Sequence, residues 1–272
     1  MDENVLKNYR PVAKIPYIAK LIEQAVKKQI DAHLALHGLL PKFQSAYRVN
    51  HSTETAIIRV HNDTMVALDK KLDVLLLLLD LSAAFETIDH NILLHRLEFT
   101  FGFTGIVLEW FSSYLKTGSS NKSDETTPIC GVPQGTTLGP ILFILYTAPL
   151  EEIIIRHGLE PMLFADYTQL YIAFKRKGDA QSRIEACIDE IRVWMTENLL
   201  VLNDSKTEVI HFTSKFKAAN KLESLRVGSS EVSSVPLVRN LGVYFDQSGL
   251  MEENINQICK SAYGSLVEFV AF

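Results

Sequence analysis

Apolar residues recur at helical spacing over residues 17–36, where Ile18, Leu21, Ile22, Ala25, Val26 and Leu34 fall on one face. Gly38 followed by Pro41 marks the stop of that helix. Ser52 or Thr53 is placed to cap a second helix running to about Lys70, with Ala56, Ile57, Val60 and Leu68 turned inward. The next segment, Val74–Leu79, is different: its apolar residues run on without alternation, at the length of a strand buried on both faces. Asp89 is placed to cap a helix carrying Ile92, Leu93 and Leu97, and Thr104 another with Val107, Trp110, Phe111 and Tyr114 along one side. Residues 116–128 are polar and unpatterned and read as a loop. Gly131–Gly135 reads as a tight turn that feeds an apolar helix from about Leu138 to Arg156, stopped at Gly158. Residues 161–165 and 169–174 read as the strands of a hairpin around Asp166-Tyr167-Thr168. Asp179 opens the most regular helix, with Ile184, Cys187, Ile188, Ile191, Trp194 and Met195 on its face. Short strands follow near 199–203, 208–212, 222–227 and 241–245, and an amphipathic segment runs on from about Met251. Helices interleaved with hairpins predict an α+β sandwich rather than a doubly wound parallel sheet.

Composition narrows the class. The chain has 272 residues, 47% hydrophobic and 22% charged, enough apolar surface for a sizeable core in one large or two modest domains. No aliphatic run approaches the ~20 residues of a membrane-spanning helix. Charged residues and two prolines break up the first twenty positions, so no secretory leader is expected. Cys130, Cys187 and Cys259 form no C-x-x-C pair, which argues against a disulfide framework or a cysteine zinc site and for a reducing, intracellular setting, nucleus or cytoplasm. His33 and His37, four apart on the first helix, are half a metal site without a third ligand nearby. The net charge of −5 is unlike a typical nucleic-acid binder. Its distribution is uneven, however. Residues 1–60 hold nine Lys and Arg against five Asp and Glu, a balance of +4, and the remainder holds 18 against 27, a balance of −9. Two explanations stand: ordinary surface variation, or an acidic body whose carboxylates collect divalent metal.

Three features carry candidate chemistry. Asp80 ends the aliphatic run, and a carboxylate delivered there needs a compensating metal, base or helix-start amide; capping the segment that follows is the plainer role. No G-x-x-x-x-G-K-[ST] stretch exists, and Ser82 stands where a D-x-D phosphotransferase would need its second acid. Asp166 sits at the hairpin tip, where aspartate is also common turn chemistry. If the hairpin lies beside the Asp80 strand, the two carboxylates converge, as carboxylates do in two-metal phosphoryl and nucleotidyl transfer. Gly131-Val132-Pro133-Gln134-Gly135 allows close backbone approach at the mouth of a helix; a simple helix entry is the alternative.

In their order along the chain these motifs resemble the reverse transcriptase domain of non-LTR, LINE-type retrotransposons. The resemblance is carried by Asn8-Tyr-Arg-Pro-Val12, Phe43-Gln-Ser-Ala-Tyr-Arg48, His51-Ser-Thr-Glu-Thr-Ala56, Asp80-Leu-Ser-Ala-Ala-Phe85, Gly131-Val-Pro-Gln-Gly135, Phe164-Ala-Asp-Tyr167, Lys206-Thr-Glu208 and Asn240-Leu-Gly-Val243, and spans residue 8 to the end. It implies a right-hand polymerase: a fingers-like helical segment over 1–72, a palm of antiparallel strands backed by helices over 73–247 with inserted fingers parts, and the start of a thumb over 248–272. It implies RNA-directed DNA polymerase activity, transferring dNMP from dNTP to a primer 3′-OH on an RNA template, with two Mg²⁺ ions, or Mn²⁺ in their place. Asp80 and Asp166 would hold the metal and Phe85 would exclude the ribose 2′-OH. Gln134 with Gly135 would position template and incoming dNTP, Arg48 would lie against the triphosphate and Lys206 near the leaving pyrophosphate. Leu241 and Gly242 would belong to the primer grip.

The chain departs from that family pattern in three places. Tyr167 stands where the family hairpin has its second Asp, and a phenol with a pKa near ~10 is a poor Mg²⁺ ligand at neutral pH. The nearby acids that could substitute for it, Glu86, where the family usually has Asp, and Asp89, are not metal ligands in the family. Residues 115–130 are short for the segment the family places there, and the thumb barely begins, with no endonuclease attached. A decayed or partial copy accounts for all three, so impaired catalysis is expected. The alternative is a remnant without catalysis, at most a nucleic-acid-binding module.

Overall fold

The computed structural model describes residues 16–82, 85–118, 130–132, 135–175, 177–213 and 222–270. Its order is α1 (Tyr17–Leu36), α2 (Thr53–Asp69), β1 (Asp73–Ser82), α3 (His90–Phe99), α4 (Ile106–Gly118), α5 (Gly139–Thr147) and α6 (Pro149–Arg156). Then come β2 (Glu160–Phe164), β3 (Tyr167–Phe174), α7 (Lys177–Glu197), β4 (Val201–Leu202), a 3-10 turn (Asp204–Lys206) and β5 (Glu208–Phe212). The chain closes with β6 (Ser224–Val227), β7 (Ser230–Ser233), β8 (Leu237–Asn240), β9 (Val243–Asp246) and α8 (Glu252–Val270).

The central sheet is antiparallel throughout. β1 is flanked on one side by β3, which pairs with β2, and on the other by β5 along Val74–Leu78 and by β4 at Leu81–Ser82. Strand pleating sends alternate residues of β1 to opposite faces. Leu75, Leu77, Leu79 and Leu81 join the larger core, with α3, α5 and α7. Val74 and Leu76 join a second core with Ala56, Ile57 and Val60 of α2 and with Phe245 of the β8–β9 hairpin. Both faces are therefore covered, which is why the run could be aliphatic without alternation. Asp80 shares the parity of Val74 and Leu76 and belongs to the α2 side.

Ser52 caps α2 through a reciprocal capping box with Thr55, and the Asp89 carboxylate accepts from the Asn91 and Ile92 amides at the start of α3. Several expected elements take a different form. The long helix from Leu138 is two helices, because Pro149 has no N–H to continue α5 and instead starts α6. The strand expected at 241–245 is a hairpin whose turn is Leu241-Gly242, with φ of +46° and +92°. Positive φ at both central residues is the turn geometry that matches strand twist, and no apolar periodicity announces it. Strand β4 is shorter than 199–203, and α7 starts at Lys177, ahead of Asp179. The motif Asn8–Val12 lies outside the described residues.

Candidate active site

Asp80 and Asp166 come from elements that meet. Antiparallel pairing puts Asp80 opposite Tyr167, the first residue of β3. Phe164 pairs with Tyr167, so Ala165 and Asp166 are the two central residues of the β2–β3 turn. Asp166 thus sits one residue from the position facing Asp80, and directly paired Cα atoms of antiparallel strands are ~4.5–5.5 Å apart. Ala165 has a φ of +54°, which closes the turn.

The Asp80 side chain is 12% exposed, and its Oδ2 accepts from Lys206 Nζ at 2.8 Å, a side chain 64% exposed. The 3-10 turn that carries Lys206 is anchored to the same strand end, where Asn203 N donates to Asp80 O at 3.0 Å. A small cleft of about 40 Å³ opens here between Asp80, Tyr167, Lys206, Glu208, Arg239 and Asn240. Burial raises the Glu208 carboxyl above the usual carboxylate range. Tyr167, 46% exposed, stands at the cleft.

The far wall is fixed by a contact the sequence reading missed. Gln169 Nε2 donates to Asn240 Oδ1 at 2.6 Å, and Asn240 Nδ2 returns a bond to Gln169 Oε1 at 2.7 Å. Both residues are buried. This amide pair ties the hairpin bearing Leu241 and Gly242 to β3. The motif Asn240–Val243 was visible in the sequence but this pairing was not, since polar residues at buried strand positions declare a partner only once the strands are placed.

Phe85 lies just past β1, half-buried, its ring stacked on Phe143 with centroids 4.9 Å apart. Its carbonyl accepts from Val132 N at 2.8 Å, and Ile88 O accepts from Gly131 N at 2.8 Å, so residues 85–88 and 131–132 are joined. Gly131 has a φ of +92°, and a Cβ there would come within 3.1 Å of Glu86 O, so a side chain at this position would be strained and crowded. Gly135 is exposed, with a φ of +88°. Gln134 lies outside the described residues. Glu23 of α1, also missed in the sequence, accepts from Thr137 N at 2.6 Å and from the Tyr114 hydroxyl at 3.0 Å. It thereby holds the entry to α5. Burial, with Glu23 alongside, pushes the Tyr114 phenol up.

Arg48 sits on the loop between α1 and α2. Its Nη1 donates to the carbonyls of Pro41, Gln44 and Lys42 at 2.9, 3.0 and 3.3 Å, so this edge of the guanidinium organises the loop. Three residues back from Tyr47, the same loop lies along β2 through a parallel bridge from Gln44 to Leu163. The Tyr47 phenol is raised by partial burial and then by the negative charge of Asp166.

Among the described residues no group of three or more His, Cys, Asp or Glu is clustered to hold a metal ion. The donor set fits one hard cation. Asp80 presents a carboxylate that already faces an ammonium, Asp166 is one residue from the position opposite, and Mg²⁺ is usually bound by one or two carboxylates with substrate phosphates. Tyr167 gives no comparable ligand for a second ion. Among the described residues no helix is long and apolar enough to cross a membrane.

Known proteins resemble this chain in sequence and in fold. A family model described as reverse transcriptase (RNA-dependent DNA polymerase) matches residues 2–245. The RNA-directed DNA polymerase from mobile element jockey of Drosophila funebris is 25% identical over 260 residues, covering 92% of this chain and 28% of that protein. A protein of Drosophila melanogaster named "probable RNA-directed DNA polymerase from transposon X-element" is 28% identical over 215 residues, covering 76% of this chain and 24% of that protein. The chain therefore spans about a quarter of the length of these relatives. Two structures of apo telomerase from Candida tropicalis share the fold. The one truncated from its C-terminal domain has a TM-score of 0.52 at 13% identity, covering 82% of this chain and 45% of that one. The other has a TM-score of 0.57 at 12% identity, covering 84% and 40%.

Proposed function

Because the chain belongs to the reverse transcriptase (RNA-dependent DNA polymerase) family, we propose that it is the polymerase domain of a non-LTR retrotransposon, adding dNMP to a DNA primer 3′-OH along an RNA template. The observation that carries this reading is the meeting of the Asp80 strand end with the Asp166 turn on an antiparallel palm sheet. Polymerases of this family use divalent metal ions; Asp80 and Asp166 would hold one Mg²⁺, and in two-metal nucleotidyl transfer the second would depend on the triphosphate for its ligands. Bound there with the triphosphate, the ions would lower the pKa of the attacking hydroxyl and stabilise charge on the departing pyrophosphate.

The remaining roles are read from the family resemblance, with the local contacts as support. Lys206, largely exposed and bonded to Asp80, neutralises the site before substrate arrives and is placed to turn toward phosphate oxygens. Phe85, braced on Phe143, is a firm wall against a 2′-hydroxyl. Gly135 leaves room for close backbone approach, and Gln134 beside it would orient template and incoming dNTP. Arg48 shapes the loop next to Asp166 and would face the triphosphate. Leu241-Gly242, on a hairpin locked to β3, would support the primer end. Residues 1–72 are then fingers-like, 73–247 palm and 248–272 the start of a thumb, and the protein works inside the cell.

A second reading, a fold retained without catalysis, is favoured by one observation: the residue facing Asp80 is a phenol. Primer extension on poly(rA)·oligo(dT) with Mg²⁺ decides between them. Template-dependent incorporation that Asp166→Ala abolishes supports the polymerase. A folded protein with none, in either Mg²⁺ or Mn²⁺, supports the remnant.

A further inference from the structure

One buried side chain ties the loop between α1 and α2 to the turn that carries Asp166. Gln44 is 2% exposed. Its backbone neighbours add to the outer edge of β2: Leu163 N donates to Phe43 O at 3.0 Å, and Ser45 N to Leu163 O at 2.8 Å. Its side-chain Oε1 accepts two backbone N–H groups, from Ala46 at 2.9 Å and from Ala165 at 3.2 Å. The first bond is local and would satisfy the loop by itself. The second crosses to the central residue of the β2–β3 turn.

Ala165 is where a hold is needed. Its φ of +54° is in the left-handed region, where a Cβ crowds the following carbonyl and glycine is the usual occupant. The next residue is Asp166, so the backbone angles of Ala165 set where that carboxylate points. Tyr47, three residues on from Gln44, has a φ of +57° itself. Loop, turn and carboxylate therefore form one connected unit with Gln44 at its centre.

We propose that Gln44 is a positioning residue: its Oε1 keeps Ala165 left-handed and so aims Asp166 at the Asp80 strand end, making the ion affinity of the site depend on the loop between α1 and α2. Gln44 touches neither ion nor substrate in this role. The inference rests on the reading of Asp166 as a metal ligand, and its test separates the two.

The test is Mn²⁺ binding to the whole 272-residue chain, followed by electron paramagnetic resonance with a non-hydrolysable dTTP analogue, and needs no turnover. Gln44→Met keeps length and apolar volume but has no oxygen acceptor. It should weaken Mn²⁺ binding about 10-fold, the lower end of what losing an outer partner of a metal ligand does, with an unchanged far-UV circular dichroism spectrum. Adding Ala165→Gly should restore most of the affinity, since glycine adopts positive φ unaided. A purely structural Gln44 would lower the melting temperature without moving Mn²⁺ affinity, and Ala165→Gly would not rescue it. If Gln44→Met does not fold, Ala165→Val in the half-buried turn carries the test, because a β-branched residue resists positive φ. It too should lower affinity. The proposal is overturned if folded Gln44→Met binds Mn²⁺ as the native chain does, if the glycine fails to rescue, or if Ala165→Val has no effect. Asp166→Asn distinguishes the failures. If it weakens binding while Gln44→Met does not, only the positioning role falls; if it leaves binding unchanged, the metal reading and this inference fall together.

Discussion

Replacing Tyr167 by Asp is the most informative single perturbation of this site. The Tyr167 Cα is paired with that of Asp80, and its side chain is 46% exposed. An aspartate there places a third carboxylate beside Asp80 and Asp166 without entering the core. Two opposing effects follow. Without metal, the new charge faces Asp80 across one rung of the sheet, and roughly half of the burial of a tyrosine ring is lost. At ~25 cal/mol/Å² over ~100 Å² that is ~2.5 kcal/mol of stability, and direct like-charge pairing across strands adds to the loss. With metal, the extra ligand should recover part of it: binding at ten times the dissociation constant stabilises by ~1.4 kcal/mol. The native chain should show a smaller Mg²⁺-dependent rise in its melting temperature than Tyr167→Asp. In primer extension the gain should be at least ~10-fold, a conservative share of the ~10²–10³ that one charge-stabilising group commonly contributes. The assay is initial-rate dTMP incorporation on poly(rA)·oligo(dT), paired with thermal melts over a Mg²⁺ series. An extension rate unchanged by Tyr167→Asp, in a folded variant that gains Mg²⁺ stabilisation, would refute the reasoning that a missing ligand limits this copy.

Gln169→Leu should destabilise by ~1–3 kcal/mol because it leaves the Asn240 amide buried and unmatched, and the double variant with Asn240→Leu should recover much of that, as urea denaturation of the four-member cycle would report. Glu208 has its folded pKa raised by burial, so its contribution to stability is full below the ordinary glutamate range and lost as pH rises through the folded value. Glu208→Gln should therefore be the more stable protein at neutral pH, with the advantage fading as pH falls toward 4, read from urea midpoints across pH. Lys206→Met should lower stability by about 1 kcal/mol, well short of a fully buried pair because the lysine is largely exposed, and chemical denaturation at low and high salt should show the native advantage shrinking with salt.

The aliphatic run of β1 and the carboxylate at its end were legible because burial on both faces leaves no alternation and an acid ending such a run is conspicuous. The β2–β3 hairpin was legible because two apolar stretches flank an Asp-containing turn. What escaped was polar and long-range. Gln44, Gln169, Asn240 and Glu23 act through partners 71 to 121 positions away, and an isolated amide or acid in a sequence carries no sign of which backbone or side chain it will meet. Pro149 was legible in principle, since a proline inside an apolar helical stretch must end or restart it. The turn at Leu241-Gly242 was hidden because leucine at positive φ is unusual, so only its glycine hinted at a reversal.

Polymerase function in this chain depends on one carboxylate pair, Asp80 and Asp166, sharing an ion with a nucleoside triphosphate. A crystal of the chain soaked with Mn²⁺ and a non-hydrolysable dTTP analogue, with anomalous data at the manganese edge, tests that directly. The account predicts an anomalous peak in contact with both carboxylates and with triphosphate oxygens, the carboxylates themselves within ~8 Å, as a metal pair ~4 Å apart requires. A peak bound to other acids, or the two carboxylates on opposite faces of the sheet, would contradict it.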